Sequence, residues 1–224
     1  MMKIETRGRF QTKIKTHILD VAEHLFSERG FDAVSIRDIT AKAKVSLGAI
    51  NYHFGTKLGL IAAIFDRRLT PVTKARLAAL DEVEKNAGAN GPALEDILRA
   101  FILPAFSEEG DGRSHTFHKL MGRGLSEPCP EIEEMLHSQF QTLAERFDSA
   151  LLRAQTNLTR EEVFWRMNFV IAALHHSLLI VSKAFPLPPG VVIVVESVAE
   201  RLVVYGSAIF RAPPAGEIRT GKST

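Results

Sequence analysis

The stretch "KVSLGAINYHFGTK", residues 44–57, has the pattern of a short helix with an unusual outer surface. Ser46 is suited to cap that helix. Apolar residues recur at helical spacing, which also indicates a helix: Leu47, Ile50 and Phe54. Polar and aromatic side chains stand together on the outer side: Asn51, Tyr52 and His53. A helix of one or two turns that presents such groups outward indicates a surface that contacts a partner.

Three further helical patterns surround this stretch. A long amphipathic helix precedes it and ends at Gly30, with one apolar face: Ile14, Ile18, Val21, Ala22, Leu25 and Phe26. Ser35 then caps a second short helix that reaches about Ala43, and Asp38 supports its first turn. A fourth helix begins around residues 56–57 and turns four side chains inward: Leu60, Ile61, Ile64 and Phe65.

The charge of the chain is concentrated at its N-terminal end. Of 224 residues, 46% are hydrophobic, which is enough for a core, and the formal net charge is only +2. Residues 1–57 carry ten Lys/Arg against six Asp/Glu, a balance of +4, whereas the remaining residues have eighteen against twenty, a balance of −2. The N-terminal quarter is therefore the part suited to face a polyanion.

Two short helices joined by a tight turn, after a longer helix, predict a helix-turn-helix unit that binds double-stranded DNA. The second short helix would enter the major groove, where Tyr52 and His53 donate to phosphates and Asn51 contacts a phosphate or a base edge. Gly48 and Ala49 are small enough for a close approach of the backbone. The segment before the first helix, with Arg7 and Arg9, is predicted to be a mobile basic arm.

Residues 18–65 resemble the DNA-binding domain of TetR-family transcriptional regulators in the "LF…RGF", "SIRDIT", "VS.G" and "YHF" motifs and in the lysine of "GTK". The resemblance places these residues at or near DNA: Arg37, Leu47, Gly48, Ala49, Asn51, Tyr52, His53 and Lys57. Ser35 and Ser46 are expected to cap their helices and to contact phosphate, and Lys44 is expected to reach a phosphate. One departure is Lys44, because the family usually has glycine in this turn. A positive φ here would cost a lysine on the order of 1 kcal/mol.

Helical patterns continue along the rest of the chain, so the predicted fold class is all-α. Further helices are expected at about 92–107, 114–125, 130–156, 159–184 and 190–211. Pro71 should kink or break the fourth helix, and the apolar run 191–195 should begin a buried helix. The predicted domains are a DNA-binding domain at 1–57, a helical ligand-binding and dimerisation domain at 58–211, and a disordered tail at 212–224.

The C-terminal part resembles, over residues 117–154, the corresponding domain of regulators related to CecR. The family resemblance implies that this region binds a small-molecule effector. The candidate pocket residues combine aromatic bulk with a few polar groups: Phe101, Phe117, His118, Arg123, Phe147, Trp165, Asn168 and His175. For each residue alone, ordinary packing or exposure remains an alternative.

The last two long helices are predicted to form a homodimer interface. Apolar residues recur on one side of each: Val163, Met167, Val170, Ile171, Leu174 and Leu178, then Val194, Val198, Leu202, Tyr205 and Ile209. Gly206 would allow a close approach. The alternative is that these faces are buried entirely within one chain.

Other function classes find little support in the sequence. The N-terminus lacks the apolar core of a signal peptide, and the apolar runs are too short or too interrupted to span a bilayer, which predicts a cytoplasmic protein. Cys129 is the single cysteine, so no intramolecular disulfide forms. The pair His115/His118 has the i,i+3 spacing of a metal site but no obvious third ligand, and the adjacent pair His175/His176 points in divergent directions. No catalytic motif or cofactor-binding motif stands out.

The predicted function is a ligand-responsive DNA-binding regulator, a repressor that a small molecule releases from its operator. The alternative from another class is a helical small-molecule-binding or adaptor protein without DNA-binding function.

Overall fold

The computed structural model describes residues 2–88, 91–106, 114–126, 130–182 and 187–214; side chains are described from residue 11 onward, excepting 114–115 and 124–126. Every element within these ranges is helical, as predicted. The helices are α1 Met2–Arg29, α2 Ile36–Ala43, α3 Leu47–Phe54, α4 Lys57–Asn86, α5 Leu94–Ile102, α6 Ser114–Ser126, α7 Pro130–Ala154, α8 Arg160–Val181 and α9 Val195–Arg211. A 3₁₀ turn, Leu103–Ala105, follows α5.

The chain forms two compact units whose boundaries differ from the predicted domains. The first unit comprises Met1–Val72 and Gly110–Phe140, and the second comprises Thr73–Glu109 and Gln141–Thr224. The first unit therefore extends well beyond residue 57 and includes α6 and the start of α7. Sequence patterns give the positions of helices along the chain, but they do not reveal which later helix returns to pack on an earlier one.

The core of the first unit fixes α1, α2, α3 and α4 against one another. Ile18, Ile39, Ile50 and Leu60, one from each of these helices, are all fully buried. Aromatic rings extend the same core, since Phe26–Phe31, Phe31–Phe65 and Phe65–Phe117 have centroids 5.6, 6.3 and 6.1 Å apart. The apolar faces predicted for α1 and α4 are confirmed by this packing. Full burial of each such side chain contributes about 1.5–3 kcal/mol, so α3 is held by hydrophobic packing on its inner side.

A buried ionic cluster joins α1 to α4. Glu23 is 2% exposed. Arg68 Nη2 donates to Glu23 Oε1 over 2.8 Å, and Arg67 Nη2 donates to Glu23 Oε2. Arg67 Nη1 also donates to Asp20 Oδ1 over 2.7 Å. Two carboxylates thus face two guanidinium groups in the first unit, and Glu23 is the one that contacts both.

Helix α6 packs on the C-terminal end of α1. The Arg123 guanidinium donates to Ser27 O over 3.0 Å and to Glu28 O over 3.2 Å, and Lys119 Nζ lies 2.8 Å from Glu28 Oε1. The last carbonyls of a helix lack intrahelical partners and form its negative end, so a guanidinium there is favourable. Arg123 therefore stabilises the end of α1.

Close packing among α5, α8 and α9 forms the second unit. A Cβ built on Gly206 of α9 would lie 3.3 Å from Val170 Cγ2 and 3.4 Å from Leu98 Cδ1. Gly206 therefore allows α9 to approach α8 and α5 within one chain, which is a different contact from the predicted dimer contact. Phe101 of α5 and Phe147 of α7 pack edge to face, with centroids 5.2 Å apart.

Three local predictions need correction. The backbone is helical from Met2, so the basic segment that contains Arg7 and Arg9 belongs to α1 and does not precede it. Residues 191–194 are not helical, and Val191, Val192 and Val194 are exposed, so this run does not begin a buried helix. Helix α4 continues through Pro71, so the chain does not break there, while the kink stays a prediction. Residues 215–224 of the predicted tail lie outside the described residues.

Helix α8 is apolar on two sides. Five of the six side chains assigned to its dimer face are instead buried within the chain: Val163, Met167, Val170, Leu174 and Leu178. Trp165 and Phe169 are exposed on the opposite side. By length and composition, α8 is the one described helix apolar enough to cross a membrane. Its 18-residue window has a mean hydropathy of 1.3, and 33% of that window is buried. Core helices of soluble proteins meet the same criterion.

Candidate nucleic-acid interface

Helices α2 and α3 begin at the predicted caps. Ser35 Oγ accepts from Asp38 N over 3.2 Å while Ser35 N donates to Asp38 Oδ2 over 2.8 Å, which completes a capping box. The Ser35 hydroxyl also donates to Asp38 Oδ2 over 2.7 Å, and this bond, together with the one from Ser35 N, holds the pKa of the Asp38 carboxyl below its ordinary value. Ser46 Oγ accepts from Ala49 N over 3.2 Å and caps α3. The two short helices therefore start where the sequence indicates, at residues 36 and 47.

The tight turn between α2 and α3 depends on Lys44. Its backbone has φ 55° and ψ 43°, and it is the one non-glycine residue with positive φ in the described part of the chain. Lys44 therefore has the positive φ that makes a lysine less favourable than the family's usual glycine in this turn. The His17 imidazole also holds this end of α2, since its Nε2 lies 3.1 Å from Ala43 O and donates in the tautomer that is protonated there.

The two sides of α3 differ as the sequence predicts. Ile50 is fully buried in the first unit, whereas Tyr52 is 77% exposed. Leu47, Gly48 and Asn51 are exposed with Tyr52. Residues four apart share one face of a helix, so Leu47 with Asn51 and Gly48 with Tyr52 form a single outer surface. The His53 ring is half-buried and packs edge to face on Tyr52, with centroids 5.0 Å apart.

The first turn of α4 adds a positive charge beside this surface. Lys57 is its first residue, and Thr56 Oγ1 caps the helix by accepting from Gly59 N over 3.0 Å. Gly59 is essential to the corner, because a Cβ there would lie 2.2 Å from Phe54 O. Real Cβ atoms do not come so close to a carbonyl oxygen, so this residue fixes how α4 leaves α3. The sequence analysis did not single out Gly59.

The eleven predicted DNA-binding residues occupy one continuous part of the first unit. They lie at the start of α2, in the turn at Lys44, along α3 and at the first residue of α4. Arg37 and Lys44 are exposed, Ala49 and Lys57 are half-buried, and Ser35 and Ser46 are exposed caps. The arrangement offers hydroxyl, amide, imidazole and ammonium donors around a helix whose outer face carries few bulky groups. Such groups bind phosphate oxygens and base edges.

Replacing Lys44 with glycine should raise the free energy of unfolding by about 1 kcal/mol, because glycine adopts positive φ without a Cβ penalty. The melting temperature should then rise by about 2–4 °C for a chain of this size. Lys44→Asn is the matched control, because it removes the same charge. Asparagine adopts positive φ less readily than glycine, so this variant should gain less stability than Lys44→Gly. Thermal unfolding checks the order, and a glycine variant less stable than the wild type would contradict the strain at Lys44.

The eight predicted pocket residues are divided between the two units. Phe101 and Phe147 are buried together in the second unit, whereas Phe117, His118 and Arg123 belong to the first unit. Three lie on α8: Trp165 is exposed, Asn168 donates to Phe164 O of its own helix over 2.8 Å, and His175 is half-buried. The pocket assignment therefore stays a prediction. The ring contacts described among these residues join Phe101 to Phe147 in the second unit and Phe117 to His118 in the first.

The sequence analysis also missed Arg76, which is buried in the second unit. Its Nε donates to Phe101 O over 2.7 Å. The available signal was its position, because Arg76 shares the helical face of the buried Leu69 and Leu80. Among the described residues, no group of three or more His, Cys, Asp or Glu is placed to hold a metal ion. Cys129 lies outside the described residues.

Two protein-family models match the chain. Residues 18–64 match the model described as "Bacterial regulatory proteins, tetR family", and residues 99–208 match "Tetracyclin repressor-like, C-terminal domain". The first match covers most of the candidate interface, from the core of α1 to the start of α4. The second carries the description of the wider family, so the resemblance to CecR-related regulators stays a prediction.

Relatives and solved structures agree with these matches. An HTH-type transcriptional repressor of Mycobacterium tuberculosis is 39% identical over 88 residues, which cover 38% of this chain and 47% of that protein. The regulator AcrR of Shigella flexneri is 42% identical over 89 residues, 40% of this chain and 38% of AcrR. The chain thus spans less than half the length of these curated relatives. PfmR of Thermus thermophilus has the same fold, with a TM-score of 0.56, 22% identity, and coverage of 87% of this chain and 97% of PfmR.

Proposed function

Because the chain belongs to the TetR family of transcriptional regulators, we propose that it is a ligand-responsive repressor that binds double-stranded operator DNA through α3. The observation that carries this proposal is the outer surface of α3, where Tyr52 and Asn51 stand exposed beside Lys44 and Lys57. The family is one of regulators, in line with the expectation that the chain is not an enzyme. A repressor acts on the chromosome, which places this chain in the cytoplasm.

The proposed contacts divide into positioning and reading. Tyr52, His53 and Lys57 donate to phosphates and set the position of α3, because phosphate contacts carry no sequence information. Asn51 and the small residues at positions 48 and 49 face the base edges of the major groove. The amides of the first turn of α4, next to Lys57, form a positive helix end that favours a phosphate.

Lys57→Ala should weaken binding to every DNA sequence and lower the salt dependence of log K by up to about one unit, since one phosphate contact is lost. Tyr52→Phe should weaken binding about tenfold, as expected for one hydrogen bond to a charged oxygen. Gel-shift titrations at several salt concentrations, with the DNA upstream of its own gene and with unrelated DNA, measure both effects.

The matched control is Lys85→Ala, which removes an exposed lysine from the other end of α4 in the second unit. It should leave DNA affinity and its salt dependence unchanged. If Lys57→Ala behaved like Lys85→Ala, the assignment of Lys57 to a phosphate contact would be wrong.

A homodimer would provide a second recognition helix. Two such helices, roughly 34–36 Å apart, can enter successive major grooves on one face of the DNA. We propose that the homodimer forms through α8 and α9, on α8 by a side different from the one predicted and on α9 by a surface that includes the predicted Tyr205. The supporting observation is the exposed apolar surface on these packed helices: Trp165, Phe169, Val204 and Tyr205. Each of these side chains is more than half exposed, and interfaces are enriched in such aromatic residues.

Phe169→Asp should raise the dissociation constant of the dimer at least about 30-fold, because a charge at the centre of an apolar contact costs about 2 kcal/mol or more. Analytical ultracentrifugation across a concentration series measures the change. Leu103→Asp, which alters an exposed apolar side chain on the 3₁₀ turn, is the control and should remain dimeric. A dimer of wild-type strength in Phe169→Asp would place the interface elsewhere.

A further inference from the structure

Arg76 is a buried cation whose charge is not matched within the described part of the chain. The residue is 8% exposed. Its Nε–H donates to Phe101 O, and its guanidinium carbon lies 4.0 Å from the centre of the Phe101 ring. No carboxylate of the described residues pairs with it. Burial alone lowers the pKa of the Arg76 guanidinium to about 10, so the group remains charged at neutral pH.

Another buried arginine of the same unit shows what a structural role looks like here. Arg166 is 4% exposed, and its Nη2 lies 2.8 Å from Glu162 Oε2. Its Nη1 donates to three carbonyl oxygens at the end of α9, Ile209 O at 2.7 Å, Phe210 O at 2.8 Å and Ala212 O at 2.9 Å. Arg166 therefore has a carboxylate and a full set of acceptors, as a buried charge requires.

Unlike Arg166, Arg76 has N–H donors that its described contacts do not use. A guanidinium has five N–H groups, and the described contacts of Arg76 use one of them. The Phe101 ring covers one face of the group. Within the described residues no contact engages the edge formed by Nη1 and Nη2, and this edge matches the two oxygens of a carboxylate in a bidentate pair. The carbonyl end of α5 compensates part of the charge but engages only Nε.

We propose that Arg76 binds the effector and that this effector is an organic carboxylate whose apolar part lies beside the Phe101–Phe147 pair. The inference rests on the proposed function, because it names the chemical class of the small molecule that the regulator senses. An arginine that served packing alone would be replaceable by an apolar side chain without the cost of burying a charge. A carboxylate in the site supplies the missing counter-charge and gains a strong, directional contact.

The first experiment separates a binding role from a structural one in the DNA-free protein. Arg76→Met keeps the length of the side chain and removes the charge, and Arg166→Met makes the same change at the fully paired arginine. Thermal unfolding should show a melting temperature for Arg76→Met within about 2 °C of the wild type or above it. Arg166→Met should unfold at a clearly lower temperature, because it leaves Glu162 and three carbonyls without their donor. Equal losses in both variants would make Arg76 structural and overturn the proposal.

The second experiment tests the carboxylate. The DNA-free protein is titrated with benzoate, phenylacetate, octanoate and decanoate, and with the matched neutral amides, by calorimetry and thermal shift. At least one carboxylate should bind and raise the melting temperature, while its amide should bind at least tenfold more weakly. Arg76→Met should weaken that carboxylate at least tenfold and leave the amide unchanged. Arg146→Met, which removes an exposed arginine of the same unit, is the control and should bind as the wild type does.

Three results would overturn the assignment: no carboxylate of the series stabilises the wild type, the amides bind as well, or Arg76→Met retains carboxylate affinity. These readouts do not involve DNA. If no carboxylate binds but the gel shift shows DNA binding, the carboxylate site is rejected and the regulator proposal stands. If a carboxylate binds through Arg76 but the gel shift shows no DNA binding, the regulator proposal is rejected and the carboxylate site stands.

Discussion

Gly59→Ala should destabilise the first unit by about 3 kcal/mol or more and remove measurable DNA binding, because its Cβ has no room. The added carbon would lie 2.2 Å from Phe54 O, and that oxygen already accepts from Thr56 N over 2.8 Å. The clash is with backbone, so no side-chain rotation relieves it. Either α4 or the end of α3 must move, and the surface that carries Tyr52 moves with it. Circular dichroism melts and gel shifts measure the two effects.

Two neighbouring glycines provide graded controls. Gly48 is helical, and a Cβ there meets only Ser46 Oγ at 3.8 Å, so Gly48→Ala should stabilise α3 by up to about 1 kcal/mol. Gly55 has φ 72° and open space around it, so Gly55→Ala should cost about 1 kcal/mol from backbone strain alone. A Gly59→Ala protein as stable as Gly55→Ala would show that the corner yields more easily than its geometry indicates.

Glu23→Ala should reduce the free energy of unfolding by about 3–5 kcal/mol, because it leaves two guanidinium groups inside the first unit without their shared carboxylate. Arg67 Nε is already buried without a hydrogen-bond partner in the described structure, so this cluster has little capacity to compensate. The melting temperature should fall by about 10 °C, at 2–4 °C per kcal/mol for a chain of this length. Measurements at one fixed protein concentration keep any dimer contribution constant.

The nearby Asp20→Asn change is the matched control. Asp20 also pairs with Arg67, but its side chain is 37% exposed, so water screens the pair. The loss should stay below about 1 kcal/mol, as for other exposed ion pairs. Similar losses for Glu23→Ala and Asp20→Asn would mean that burial of Glu23 does not govern the strength of the cluster.

The sequence determined the local features of the DNA-binding unit. Ser35, Ser46 and Gly30 mark helix ends through their own hydrogen bonding or backbone freedom, and all three act where predicted. The sequence also assigned Asn51 and Tyr52 to the outer side of α3, and both are exposed while Ile50 is buried; His53, assigned to the same side, is half-buried. The turn at Lys44 also followed from local geometry, since its φ depends on residues next to it.

Contacts between distant parts of the chain required the tertiary structure. Helix α6 packs on α1, so Phe117 and Arg123 belong to the first unit. Helix α8 has two apolar sides, and the sequence contains nothing to indicate which one its own chain covers. The structure buries Val163 and Leu174 and exposes Trp165 and Phe169. Periodicity identifies a face that avoids water, whereas only packing determines which neighbour provides the cover. The same limit concealed Arg76, whose importance comes from the absence of a counter-charge among the described residues that surround it.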